Sequence, residues 1–186
     1  DYAINLQRNI KNPDRLHDVI ADYNPPASWR PRKADKASVY RTFWKYYLRQ
    51  VIIKREWVEL AGLCDSILYG SGYDDIESEY RSYCRTYAYE YENILSYFVF
   101  RYFLKGVFDR DVLTKVKMAI VSTLMIMQCD MAVWKRNGGS LSFTERVDIA
   151  HLYSREVEHS EENFAALCKL FAHKKVFDEA GLDALL

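Results

Sequence analysis

Apolar residues recur along this chain with a period near that of an α-helix, and no stretch of any length alternates with the period of a strand. The clearest run is Tyr80, Tyr83, Tyr87, Tyr91, Ile94, Phe98 and Tyr102, a continuous stripe on one helix face. Tyr89, Tyr97, Phe100 and Phe103 mark a second face, so this helix is expected to be largely buried near its C-terminal half. Val39, Phe43, Tyr46, Tyr47 and Gln50 predict a helix over 37–50, and Trp57, Leu60, Ala61, Cys64 and Leu68 another over 54–69, closed by Gly70-Ser71-Gly72. Asn12 followed by Pro13 predicts a helix start, running to about Tyr23 and ended by Asn24-Pro25-Pro26. Gly106 punctuates the aromatic helix, Asp109 is placed as the cap of a long helix to about Lys135, and Asn137-Gly138-Gly139 stops it. Ser142 with Glu145 three residues on is a capping box for a helix over 143–159; two more are predicted at 160–173 and 178–186. The expected fold is all-α, a single helical-bundle domain over 1–186 with seven to eight helices.

Composition narrows the class. The 186 residues are 49% apolar and 28% charged, with 26 basic and 26 acidic side chains. Collagen-like, disordered and disulfide-scaffold proteins are excluded, and zero net charge argues against a dedicated nucleic-acid binder. The zero conceals segregation. Residues 28–55 carry nine Lys/Arg and one acid, including the Pro-rich basic loop 24–36, whereas 65–92 and 144–162 are acidic. Such faces either neutralise each other within the fold, stay solvated, or steer a charged partner. The apolar run Met118–Trp134 contains Gln128 and Asp130 and reads as a core helix rather than a membrane span. Residues 1–20 lack the apolar core of a signal peptide. Cys64, Cys84, Cys129 and Cys168 are dispersed without a CxxC pair, which fits reduced thiols in a cytoplasmic protein. The chain begins at Asp1, which suits the C-terminal part of a longer protein.

There is no GxGxxG, GxxxxGK[ST] or GxSxG, so neither a Rossmann-type cofactor domain nor a P-loop is expected. Two polar constellations remain. The first is Tyr89-Glu90-Tyr91-Glu92-Asn93 with Arg101; polar groups on an aromatic helix must bond each other or a ligand if buried. Tyrosines beside carboxylates suit a cage for an ammonium group, or simply a core whose hydroxyls are locally satisfied. The second is residues 151–163, HLYSREVEHSEEN, where two histidines and several carboxylates suit acid–base work. The same stretch also reads as a helix junction, with Ser160 capping the next helix and Asn163 at its third position. Glu156-x-x-His159 and Asp148-x-x-His151 have the spacing of half a di-iron site, but both fall on one helix, and no metal is assigned.

The stretches YEYENILSYFVFRYF (89–103) and HLYSREVEHSEENF (151–164), in this order around a long apolar helix, resemble the C-terminal half of the flagellin lysine-N-methylase family. The resemblance implies a bacterial cytoplasmic enzyme that methylates lysine ε-amines of flagellin with S-adenosylmethionine as donor. It also implies an iron–sulfur cluster in an N-terminal cysteine-rich segment that residues 1–60 do not contain. It places Glu92, Asn93, Arg101, Tyr153, Arg155, Glu156, Glu158, His159 and Asn163 at or near a functional surface. Methyl transfer needs a deprotonated amine. Glu92, Glu156 and His159 are therefore the expected catalytic groups, with Tyr91, Asn93, Arg101, Tyr153, Arg155, Glu158 and Asn163 binding substrate or cofactor. Two other readings stay open: a non-catalytic helical module that docks flagellin, and a helical regulator with a ligand pocket.

Overall fold

The computed structural model describes residues 8, 9, 12, 15, 35–178, 181, 182 and 185, with only the backbone of 104 and 107. Among them the chain is helical throughout, with no strand. The α-helices are α1 (Lys36–Tyr47), α2 (Arg55–Ile67), α3 (Tyr73–Tyr83), α4 (Ala88–Asp109), α5 (Val112–Arg136), α6 (Phe143–Tyr153) and α7 (Glu161–His173). Local chemistry fixes several of their starts. Asp35 accepts the Ser38 N–H, Asp111 the Thr114 N–H and Ser160 the Asn163 N–H. Ser142 and Glu145 form the reciprocal capping box, each accepting the other's backbone N–H.

The core is built around α5. Every residue from Lys117 to Trp134 except Ile120 and Met127 is buried, so the helix is enclosed on all sides rather than on one stripe. Its polar groups are met by the surrounding helices. Gln128 donates to the Tyr73 hydroxyl of α3 (2.9 Å), Asp130 accepts from Tyr91 of α4 (2.7 Å) and Ser122 accepts from Tyr153 of α6 (2.8 Å). Lys117 donates to the Phe171 carbonyl of α7 (3.3 Å), and Tyr153 shares a second hydrogen bond with Tyr47 of α1 (2.9 Å). Around these contacts Trp57 packs against Trp44 and Tyr153, their ring centroids 4.8 and 5.9 Å away.

The helical class holds, while several expected boundaries do not, and the predicted tally of seven to eight helices shifts with them. The aromatic stripe over 80–102 is not one helix: α3 ends at Tyr83, a 3₁₀ turn covers Cys84–Tyr87, and α4 begins at Ala88. On an unbroken helix Tyr80 and Tyr91 would stand about 16 Å apart along the axis. The turn lets their hydroxyls meet at 2.5 Å. Gly106 lies inside α4, where a side chain would crowd Lys115 and Val112 at 3.2 Å, and Asp111 rather than Asp109 caps α5. Asp109 instead pairs with the buried Lys115 (2.7 Å). The helix expected over 143–159 stops at Tyr153 and widens into a π turn over Ser154–Glu158. Asn12 accepts the Arg15 N–H (3.3 Å), as a cap would; the rest of the predicted 12–23 helix, most of the basic loop 24–36 and most of 178–186 lie outside the described residues.

The segregated charges meet one another within the fold. Lys36 pairs with Glu77, Arg41 with Asp65, Lys135 with Glu79 and Arg146 with Glu90, at 2.7–3.0 Å. The exposed pairs among them contribute little to stability. The capping box is expected to contribute more. Ser142→Ala is expected to cost about 1 kcal/mol and to lower the melting temperature by about 2–4 °C in a calorimetric scan. An unchanged transition would show that α6 does not depend on its cap.

Candidate functional site: the π turn and the groove beside it

The second sequence motif folds into the π turn. Its wider pitch is seen in the hydrogen bond from the His159 N–H to the Ser154 carbonyl (3.0 Å), five residues back. Such a turn changes the direction of successive side chains. Glu156 points into the protein, Glu158 toward α4, and Arg155 and His159 are exposed.

Glu156 is buried and accepts two backbone N–H groups, from Ile53 (3.0 Å) and Lys54 (2.5 Å), at the start of α2. These are orphan donors of a helix terminus, and a carboxylate there satisfies them and complements the helix dipole. Asn163 completes the hold. Its side-chain oxygen accepts the Val51 N–H (2.9 Å), and its NH₂ donates to the carbonyls of Val51 (2.8 Å) and Glu156 (2.7 Å). The segment between α1 and α2 is thereby pinned to the π turn. Tyr153, the residue before the turn, is fully buried between Tyr47 and Ser122.

Glu158 joins the two motifs. Its carboxylate is almost wholly covered, stands 2.7 Å from Arg101 Nε of α4, and accepts hydrogen bonds from Ser154 (2.9 Å) and Tyr97 (3.2 Å). The Arg101 Nε–H is not aimed along that contact, so the pair is held by charge rather than by an aligned hydrogen bond. Phe98 of the first motif packs edge-on against Tyr153 of the second, centroids 6.0 Å apart.

Glu92 stands elsewhere, whereas Asn93 lies one turn before Tyr97 on the face that leads to Arg101. Both are exposed, and nine positions of roughly 100° each leave Glu92 about half a turn from Arg101 on α4. The structure therefore does not bring Glu92 onto the face that meets the π turn. Tyr91 is turned into the core. Its hydroxyl bridges Asp130 and Tyr80, and burial pushes the Tyr80, Tyr91 and Tyr153 hydroxyls above their ordinary range, so all three stay protonated near neutral pH.

On the outer side of the turn an open groove of about 600 Å³ runs between α2 and α6. Glu56, Glu59, Leu60 and Leu63 of α2 face Asp148, His151 and Leu152 of α6 and Arg155 of the π turn, with Lys54 and Arg136 also lining it. Both stretches have the same i, i+3, i+4, i+7 spacing in the sequence, which was available there but not singled out as a pair. Of the residues expected at the site, Arg155 lines this groove. Arg101 and Glu158 meet on the turn's other side; Glu156 and Asn163 lie beneath it as builders of the wall.

Sequence reasoning also missed the role of Asp130. This carboxyl is buried, its second oxygen has no partner, and removal from water pushes its pKa up to about 7; Tyr91 and the Arg146 charge only partly oppose that. Its sole sequence signal was an acid inside an apolar run. Because the folded value lies above the unfolded one, the protein holds this proton more tightly when folded. The stability it contributes is full below about pH 4 and is lost as pH rises to about 7. Asp130→Asn, which keeps an acceptor for Tyr91, is expected to flatten that dependence and to gain on the order of 3 kcal/mol over the wild type between pH 4 and pH 8 in urea titrations. Parallel stability curves for the two proteins would reject a titrating Asp130.

Glu156 makes a contrasting prediction. Glu156→Ala leaves two buried N–H groups unsatisfied and is expected to cost about 2–4 kcal/mol, with Glu156→Gln recovering part of it through the remaining oxygen. Equal urea midpoints for the alanine variant and the wild type would show that the N–H groups find other acceptors.

No match to this chain is found among curated proteins or among solved structures. A family model does match, over residues 3–184 and hence nearly the whole chain, and its description is the FliB lysine N-methylase C-terminal domain. The two motifs that suggested a flagellin lysine methylase, now seen to interlock through Glu158 and Arg101, lie within a match of that extent, and the chain belongs to this family.

Proposed function

We propose that this chain is the C-terminal, substrate-handling domain of a bacterial cytoplasmic enzyme that methylates lysine ε-amines of flagellin, with S-adenosylmethionine as the methyl donor. The family supports the lysine-methylase and flagellin parts of this reading. The observation that carries the choice of surface is the Arg101–Glu158 contact, which joins the two motifs at the π turn. π turns inside helices are frequent at functional sites, because the lost regularity leaves side chains aimed where a regular helix cannot aim them. In this reading Arg155 and His159, exposed on the turn, face the substrate. Arg101, Tyr97 and Glu158 set the turn's orientation, and Glu156 and Asn163 position its wall. Asn93 would reach substrate from one turn before Tyr97 on the same face, and Glu92 only from a separate face of α4.

The motif tyrosines and the groove between α2 and α6 do not fit the donor. The tyrosines that would cage a sulfonium, Tyr91 and Tyr153, are turned inward and bonded to core groups, and no tyrosine, phenylalanine or tryptophan lines the groove. The four thiols do not fit an iron–sulfur cluster either. Cys64 and Cys129 are free thiols buried against each other in the core, Cys84 donates to the Arg81 carbonyl and Cys168 faces Lys115. The domain's part is the handling of the lysine-bearing protein, which it docks for methylation by the complete enzyme.

The test is charge reversal in the complete methylase, read by the mass shift of flagellin. Arg101→Glu and Glu158→Arg are each expected to lower kcat/KM at least about tenfold, and the double variant is expected to regain part of it. Thermal melts show whether each variant is folded. Single variants that are folded and as active as the wild type would remove the π turn from the functional surface.

A further inference from the structure

We propose that the groove between α2 and α6 is the acceptor for the substrate's lysine side chain, with Asp148 and Glu56 holding the ammonium and His151 taking its proton. This rests on the lysine-methylase reading above and assigns that reaction a place and a set of groups.

A lysine side chain has an apolar stem and a head with three donors and no acceptor. A site for it therefore needs an apolar floor beside carboxylates. Leu60 and Leu63 from α2 and Leu152 from α6 supply the floor, and Glu56, Glu59 and Asp148 the carboxylates. Glu59 is already paired with Arg55 at 3.0 Å, whereas Glu56 and Asp148 make no ion pair among the described residues, so these two are the free anchors. The groove volume of about 600 Å³ accommodates a butylammonium chain together with adjoining backbone.

The groove also carries cations where simple ammonium binding would not call for them. Lys54, Arg136 and Arg155 line it alongside the acids. Like charges nearby disfavour a protonated amine, one of the ways in which a lysine amine is made nucleophilic. His151 stands one turn from Asp148 on α6, and the π turn that follows carries Arg155 into the same groove. In the step assigned to it, the Nζ–H bond of the bound ammonium breaks and an imidazole N–H bond forms. The lone pair freed on Nζ is then available for methylation, and the imidazolium returns the proton to water. The family motif contributes directly to this wall. Glu156 and Asn163 fix the segment that leads into α2, and the π turn itself carries Arg155 to the groove.

Asp148 and His151 are exposed, so their variants test function without unfolding the core. In the complete methylase with flagellin as substrate, Asp148→Asn is expected to raise KM about tenfold with kcat little changed. His151→Gln is expected to lower kcat and to abolish the acid limb of its pH profile. Independently of turnover, the His151 imidazole NMR signal is expected to shift when Nα-acetyl-lysine methylamide is added, and to stay in place with the norleucine analogue, which lacks the amine. A wild-type enzyme that methylates no lysine overturns the functional reading and the groove assignment with it. An active wild type whose Asp148→Asn and His151→Gln variants keep its kcat/KM and pH profile overturns the groove alone, as does a His151 signal indifferent to the lysine probe.

Discussion

Helix α5 is enclosed by its neighbours, yet it carries Lys115, Lys117, Ser122, Gln128 and Asp130 into that enclosure. A buried polar group without a partner costs on the order of 1–3 kcal/mol, so each surrounding helix must bring one. Tyr73, Tyr91, Tyr153 and the Phe171 carbonyl do this from α3, α4, α6 and α7. The aromatic excess follows from that demand. Tyrosine fills the core with a ring and still reaches a polar atom with its hydroxyl. What the composition suggested as a cage for cations serves, for the buried tyrosines, as a set of latches on one helix.

The same constraint shapes the functional surface. With Tyr153 committed to Ser122 and Tyr47, the helix that carries it is fixed to the core up to that residue. Beyond it the backbone loosens into a π turn and hands successive side chains to different tasks. Glu156 goes to the start of α2, Glu158 goes to α4, and Arg155 goes to the groove.

Electrostatics is arranged by the same economy of partners. The basic and acidic blocks close on each other as Lys36–Glu77 and Arg41–Asp65, and Arg146, a base within an acidic stretch, pairs with Glu90 of the other. Charges left over gather in the groove between α2 and α6, where acids and bases coexist without pairing across it among the described residues. Asp130 is the exception inside the core, a carboxyl whose burial is only partly offset by Tyr91.

Periodicity, caps and glycines were enough to read the class of fold, the start of α1, the ends of α2 and α7 to within two residues, and the capping box of α6, because these depend on neighbours within a few residues. The two motifs were likewise legible as a family pattern. Three things were decided only by tertiary contacts. The aromatic stripe breaks at Cys84–Tyr87, letting Tyr80 and Tyr91 converge near Asp130. Glu156 and Asn163, polar residues in a suggestive motif, turn to backbone groups more than 100 positions away in the chain. The groove emerges from two stretches whose matching spacing has no meaning until they are set face to face. Local hydrogen bonding and hydrophobic period are written residue by residue; which polar group meets which across the bundle is set by how the helices enclose α5.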